Sequence, residues 1–271
     1  MRLARLLQCL HNLNLSNSES EKAGLLKRRL AVLCVVIIMA LLSVFVGYRW
    51  LLPRYSESRS NSNPIIEQWF NDLASRPKLM TSMNRTVCPG AFFSLPSDGL
   101  IGLLWGDPAG PYTLLNPHTG IDVFGDGEPG TVPVYAAYDG LLSRRSDWLS
   151  SVIIKHDDPL QSGRIIWTYY THMAARDGSR SFIVPVFPPG TTDMPVKQGD
   201  LLGYQGEYAG GGRPPIGMHV HMSIVTSEAD GTFKNEAIIG NTIDPTPYFG
   251  MQLNITDLPV RPIKCSLSPS S

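Results

Sequence analysis

The sequence has 271 residues, 23 basic and 23 acidic side chains, and no formal net charge. Six basic residues against two acidic ones in the first 29 leave the remainder mildly acidic, so there is no electrostatic reason to expect nucleic-acid binding. The 25 glycines and 22 prolines fall mostly after residue 85, between short apolar runs, which speaks for a turn-rich β domain and against a helical bundle.

Residues 1–29 form a basic tail, ending in Lys27, Arg28 and Arg29. Residues 30–52 follow as a candidate transmembrane helix. Leu30 to Val46 is apolar apart from Ser43, and the apolar character resumes after Gly47. With Tyr48 and Trp50 at the interface, the stretch meets the roughly 20 residues needed to cross a hydrocarbon core. A signal peptide would have a shorter apolar core nearer the terminus and a small-residue cleavage site. A buried soluble helix would show a polar face, and this one has none. The cations before the span predict a single-pass membrane protein with a cytoplasmic N-terminus and an extracytoplasmic C-terminal domain.

Residues 53–84 read as a linker and a short helix. The first part is polar and Ser-rich, with little to bury, and Pro64 to Leu73 predicts a short amphipathic helix. Residues 85–265 form the expected globular domain, mainly β and antiparallel, and residues 266–271 a tail. Strands are predicted over 132–138, 151–155, 164–171, 200–204 and 218–225. Cys88 and Cys265 flank this domain; outside the cytoplasm a disulfide between them would tie its ends together, the alternative being two unpaired thiols. Cys9 lies in the basic tail and Cys34 inside the apolar stretch.

Three elements carry chemistry. The first is His118-Thr119-Gly120-Ile121-Asp122, where Gly120 and the preceding Asn116-Pro117 argue for a loop entering a strand. Imidazole nitrogen and carboxylate oxygen are both good zinc ligands; a turn that merely holds a His and an Asp is the competing reading. The second is Met218-His219-Val220-His221-Met222. In a strand His219 and His221 project from one face and Val220 and Met222 from the other. Two imidazoles on one sheet face suit metal binding or acid–base work, against the alternative of a solvated polar face. The third is His172, closing Thr168-Tyr169-Tyr170-Thr171-His172, which takes its weight from the other two. His156, after an apolar strand, reads as structural or as a support to the site, and His11 as inert.

This pattern resembles that of the M23 zinc endopeptidases, the lysostaphin- or LytM-like enzymes that cut peptide cross-links in bacterial cell walls. His118 and Asp122 match the family's H-x-x-x-D, His219 and His221 its H-x-H, and His172 the histidine between them. Val132–Gly140 (VPVYAAYDG), Val152–His156 (VIIKH), Trp167–His172 (WTYYTH), Val196–Gly203 (VKQGDLLG) and Asp244–Phe249 (DPTPYF) resemble its intervening segments, over roughly residues 95 to 250.

The resemblance implies one zinc ion per chain, held by His118, Asp122 and His221, with His172 and His219 as the catalytic pair that orients and deprotonates the attacking water. It implies peptidoglycan peptide stems as substrate; the apolar span adds a membrane attachment through one helix, and a protein activator is a further candidate partner. The alternative is a non-catalytic LytM-like module that binds wall or regulates. Three departures, Asn116, Met218 and Met222-Ser223, touch the cleft walls more than the ligands. The stretch 181–193 looks like an insertion in the family pattern and 210–215 like an unusual loop, and either could line the substrate groove.

Overall fold

Arg28–Leu51 is a single helix, α1, whose last turn widens to π geometry over Gly47–Leu51. The computed structural model describes residues 24–25, 28–51, 55, 59–81, 85, 87–211 and 216–266; Cys9, His11 and most of the basic tail lie outside them. Mean hydropathy in α1 reaches 3.0, and 24 residues at helical rise span about 36 Å against a hydrocarbon core of about 30 Å. The helix is long and apolar enough to cross a membrane or to serve as a signal sequence. The chain divides into two compact units, one up to Arg54 and one from Tyr55 onward.

The second unit opens with α2 (Ser62–Asn71), with Pro64 in its first turn, where a missing N–H costs nothing. Trp69 is 1% exposed and packs with Leu100 and Phe124, and Ile65 and Ile66 add to the same face. That one buried stripe explains why so short a helix forms. Its entry is fixed by Ser62, which donates to the buried carboxylate of Asp107 and accepts from Arg261. A 3-10 turn, Leu73–Ser75, leads into α3 (Arg76–Leu79), where Arg76 pairs with Asp126 at 2.7 Å.

Ten strands follow: β1 (Leu100–Ile101), β2 (Ile121–Phe124), β3 (Pro133–Tyr135), β4 (Gly140–Ser143), β5 (Val152–Asp157), β6 (Ile165–Thr171), β7 (Met194–Val196), β8 (Leu201–Tyr204), β9 (Val220–Thr226) and β10 (Thr242–Ile243). A short helix, α4 (Thr246–Phe249), comes last and stops at Gly250 in the left-handed region. Eight strands form one sheet in the order β1-β2-β9-β6-β5-β4-β7, with β10 also on β9; β3 and β8 form a second sheet. All the pairings between these strands are antiparallel. The expected mainly antiparallel β architecture is therefore what the chain adopts.

Four of the predicted strands match β5, β6, β8 and β9 within two residues. The segment 132–138 pairs only over β3, because Ala136 and Ala137 turn into the core and bond with Asp200 and Ser94. Strands β1, β4, β7 and β10 were not anticipated. β7 contains Pro195, which is tolerated because β7 is an edge strand.

The sheet has two unlike faces. On β9, Val220, Met222 and Ile224 point into the main core with Ile121, Val123, Val152, Ile154, Ile166 and Tyr170. The opposite face carries His221, Ser223 and Val225, the last packing with Ile153 and Trp167. Cys88 and Cys265 are joined in a disulfide with Cα atoms 5.5 Å apart, across 177 positions of sequence. Cys34 is free and exposed on α1.

Candidate metal centre

Strand register assembles the site. Asp122 on β2 lies opposite His221 on β9, and His221 lies opposite Thr171 on β6. Ser151, just before β5, continues the row through a 2.7 Å hydrogen bond to the Thr171 hydroxyl. One transverse row across four neighbouring strands therefore presents its side chains on the same face, as the alternation of strand side chains requires. His118 enters from the loop before β2, tied by its backbone N–H to the Asp107 carbonyl. Gly120 lets that loop press against β9, since a Cβ there would run into the carbonyl of Met222.

The three side chains converge. His118 Nε2 lies 3.1 Å from Asp122 Oδ1 and 2.9 Å from His221 Nδ1, and that Nδ1 lies 2.9 Å from the same carboxylate oxygen. All three residues are buried, and their ligand atoms form a group able to hold a metal ion. His118 Nδ1 donates to the Leu104 carbonyl at 3.0 Å, which leaves Nε2 bare toward the group. A ligating histidine usually has its other nitrogen held in this way. Tetrahedral coordination at 2.0–2.2 Å places ligand atoms about 3.4 Å apart, so a few tenths of an ångström of relaxation suits the cluster to such an ion.

His219 and His172 stand beside this group without joining it. His219 donates Nδ1–H to the Gly217 carbonyl at 2.7 Å, and its Nε2 lies 3.6 Å from Asp122 Oδ2. Its ring stacks on Phe124 at 4.8 Å, and the edge of Phe70 from α2 meets Phe124 at 5.6 Å. His172 donates Nδ1–H to the Tyr208 carbonyl at 2.7 Å, and its ring lies 4.6 Å from that of His219. His172 has φ 73°, an uncommon conformation for a residue with a Cβ, held here by that bond and by its carbonyl accepting from Ala174 N–H. Gly206 lies between the two histidine segments. Its carbonyl accepts from His219 N–H, and a Cβ on it would collide with the carbonyls of His172 and Ala174.

Electrostatics divide the cluster into charged and neutral members. Burial pushes the Asp122 carboxyl upward, but the neighbouring His118 and His219 and the ring hydrogen bonds outweigh it and hold the group well below the usual carboxylate range. Burial pulls His221 down, yet Asp122 and Glu236 prevail and raise it to about 10. A proton on His221 Nδ1 thus satisfies both Asp122 and His118; a divalent cation would do so with greater charge. Burial, aided by His219, lowers His172 to about 3, and burial also lowers His219. These two rings are therefore neutral at physiological pH, each with Nε2 free to accept a proton.

A groove of about 420 Å³ adjoins His172, lined also by Ser150, Ser151, Tyr169, Thr171 and the segment Tyr208–Gly211. Of the 210–215 loop, Gly210 and Gly211 line this groove, while residues 212–215 lie outside the described ones. The 181–193 stretch instead sends Phe182 and Phe187 into the core and bridges to β8 through Ile183 and Gly203.

His156 stands apart from the metal group. Its Nδ1 donates to the Asp139 carbonyl and its Nε2 accepts from Thr168, both at 2.7 Å. Burial lowers it to about 4. The unfolded chain, with an ordinary histidine near 6.5, takes up the proton first, so this contribution to stability is whole above pH 6.5 and is lost as pH falls toward 4. The loss amounts to about 3 kcal/mol. Replacing His156 with Gln is expected to flatten the decline in urea stability between pH 6.5 and 4; an acid slope equal to that of the wild type would exclude this histidine from the response.

Three residues at the site carry no signal in the sequence. Glu236 lies in the loop after β9, with Oε2 3.6 Å from His221 Nε2. Tyr208 acts through its carbonyl, which any residue could supply. Tyr112, whose ring lies 4.8 Å from His118, comes from a loop with no periodic pattern.

Comparison with known proteins gives a structural likeness alone. No family model matches the sequence, and no curated protein matches it. Among solved structures, lysostaphin from Staphylococcus simulans aligns at 20% identity over 49% of this chain and 43% of its own, with a TM-score of 0.32. A zinc-containing peptidase from Vibrio cholerae aligns at 21% over 45% of this chain and 30% of its own, TM-score 0.28. The catalytic domain of a prophage-encoded M23 protein from Enterococcus faecalis aligns at 28% over 46% and 79%, TM-score 0.27. This chain thus spans less than half the length of whole lysostaphin.

Proposed function

We propose that this chain is a zinc metalloendopeptidase of the M23 type, which hydrolyses peptide cross-links of bacterial peptidoglycan. The observation that carries the reading is the convergence of His118 Nε2, Asp122 Oδ1 and His221 Nδ1 within 3.1 Å of one another, beside two histidines whose Nε2 atoms are free. Three protein ligands with a position left open are what a catalytic zinc site uses. His118, Asp122 and His221 would hold the ion, which when bound acts as a Lewis acid on the scissile carbonyl and acidifies water.

The rest of the chemistry belongs to His172 and His219. Each is oriented by a backbone carbonyl at Nδ1 and kept neutral by burial, so Nε2 can take the proton of the attacking water. Once protonated, the same N–H can donate to the oxyanion of the tetrahedral intermediate or return the proton to the leaving amine. A groove lined by Ser150, Ser151, Thr171, Gly210 and Gly211 suits an extended peptide with small side chains, the kind that makes up wall cross-links.

In this reading α1 is a membrane anchor with the N-terminus cytoplasmic, and the β domain works outside the cytoplasm on peptidoglycan stems, where a disulfide persists. A protein activator acting on the Gly-rich edge of the groove is a further candidate partner. The test is to incubate the detergent-solubilised, zinc-loaded chain with peptidoglycan and to analyse the released fragments by mass spectrometry. New peptide termini are expected, and their sequence identifies the bond. Folded, zinc-loaded protein that releases none would overturn the peptidase and leave a wall-binding module.

A further inference from the structure

We propose that Glu236 is a positioning residue for His221, its carboxylate accepting the Nε2–H of that ring and so presenting Nδ1 to the metal. The inference rests on the metal-centre reading above and adds to it a residue outside the sequence motif.

Each ligating histidine must carry its proton on the nitrogen that faces away from the ion, and that N–H needs an acceptor. His118 has one in the Leu104 carbonyl. His221 is 5% exposed and its Nδ1 is committed to the ligand group, yet its Nε2 is buried with no hydrogen-bond partner among the described residues. The acceptor in reach is Glu236 Oε2 at 3.6 Å, about 0.6 Å beyond an ordinary N–H···O bond.

Two features place this carboxylate at the site. Thr119, adjacent to the ligand His118, donates its hydroxyl to the same Oε2 at 3.3 Å, so one oxygen is turned toward both ligand-bearing segments. The loop that carries Glu236 is pinned on both sides: Lys234 N–H bonds to the Thr226 carbonyl at the end of β9, and Asn235 accepts from Ala237 N–H and Asn241. The side chain is still 30% exposed, so it has the freedom to close the last fraction of an ångström.

The test is zinc affinity of the full-length chain in detergent, by competition with a chromogenic chelator at pH 7. Glu236→Ala is expected to bind zinc 10–100-fold more weakly than wild type, the usual effect of losing an outer partner of a ligand. Glu236→Gln, whose amide oxygen still accepts, is expected to fall between them. In ¹H–¹⁵N spectra of the zinc-loaded protein, His221 should show a downfield Nε2–H resonance that Glu236→Ala loses, a signature that a purely structural loop residue would not move. Wild-type zinc affinity and an unchanged His221 resonance in Glu236→Ala would overturn the proposal and leave the metal centre standing. Failure of the wild type itself to bind zinc would overturn both.

Discussion

Replacing His221 with Ala is expected to weaken zinc binding by more than about 100-fold, beyond what the loss of an outer partner of a ligand costs. His221 sits at the middle of the site: its Nδ1 touches both other ligand atoms at 2.9 Å, and β9 is paired on both sides. Without it, His118 and Asp122 offer two donors only, too few for a catalytic zinc site. The variant also leaves the buried Asp122 carboxylate with less positive charge beside it, and breaking a buried pair from one side typically costs 3–5 kcal/mol. Thermal melts with and without a chelator separate the two effects. The wild type should gain stability with zinc, whereas the variant should be lower and indifferent to it. Full zinc occupancy in His221→Ala would remove it from the ligand set.

The second large effect is expected at His219, with the opposite signature. His219→Ala should retain one zinc per chain and lose about 10²–10⁴ in turnover on peptidoglycan, the usual worth of a positioned acid–base group. The ring is not part of the group that could hold the ion; its Nε2 lies 3.6 Å from Asp122 Oδ2. Truncation also leaves space beside Phe124, so His219→Gln, which refills much of it, serves as the control for packing. Loss of kcat at unchanged zinc content and little change in KM identifies a group that acts in the transition state. A His219→Ala protein as active as the wild type would take this histidine out of the mechanism.

The parts of the site that could be read from sequence are those set by local geometry. An H-x-H in a strand puts both rings on one face whatever surrounds it, and the five residues that the family resemblance singled out all come together in the fold. Glu236 was missed for the converse reason. It reaches His221 from a loop fifteen positions further along, and its contact depends on how that loop folds back over β9, which no periodicity encodes. The strands divide in the same way. β5, β6 and β9 carry apolar β-branched and aromatic runs, whereas β4 and β7 are three or four residues long and are strands only because neighbours pair with them. The 181–193 stretch held apolar residues whose role, core or groove wall, depended on partners such as Gly203 that lie elsewhere in the chain.

The disulfide has a mechanical consequence. All five site residues and all ten strands lie between Cys88 and Cys265, inside a covalently closed loop, whereas α2 and α3 lie outside it. Tension applied to the chain at Tyr55 is therefore borne first by α2, through Trp69 in its socket, and then by α3, through the Arg76–Asp126 pair. Peeling this helix would withdraw Phe70 from Phe124 and from Gly217, the two residues that flank the His219 ring and hold its Nδ1. A pull at this end of the chain thus reaches the neighbours of a candidate catalytic histidine before it can part any strand that carries a candidate ligand.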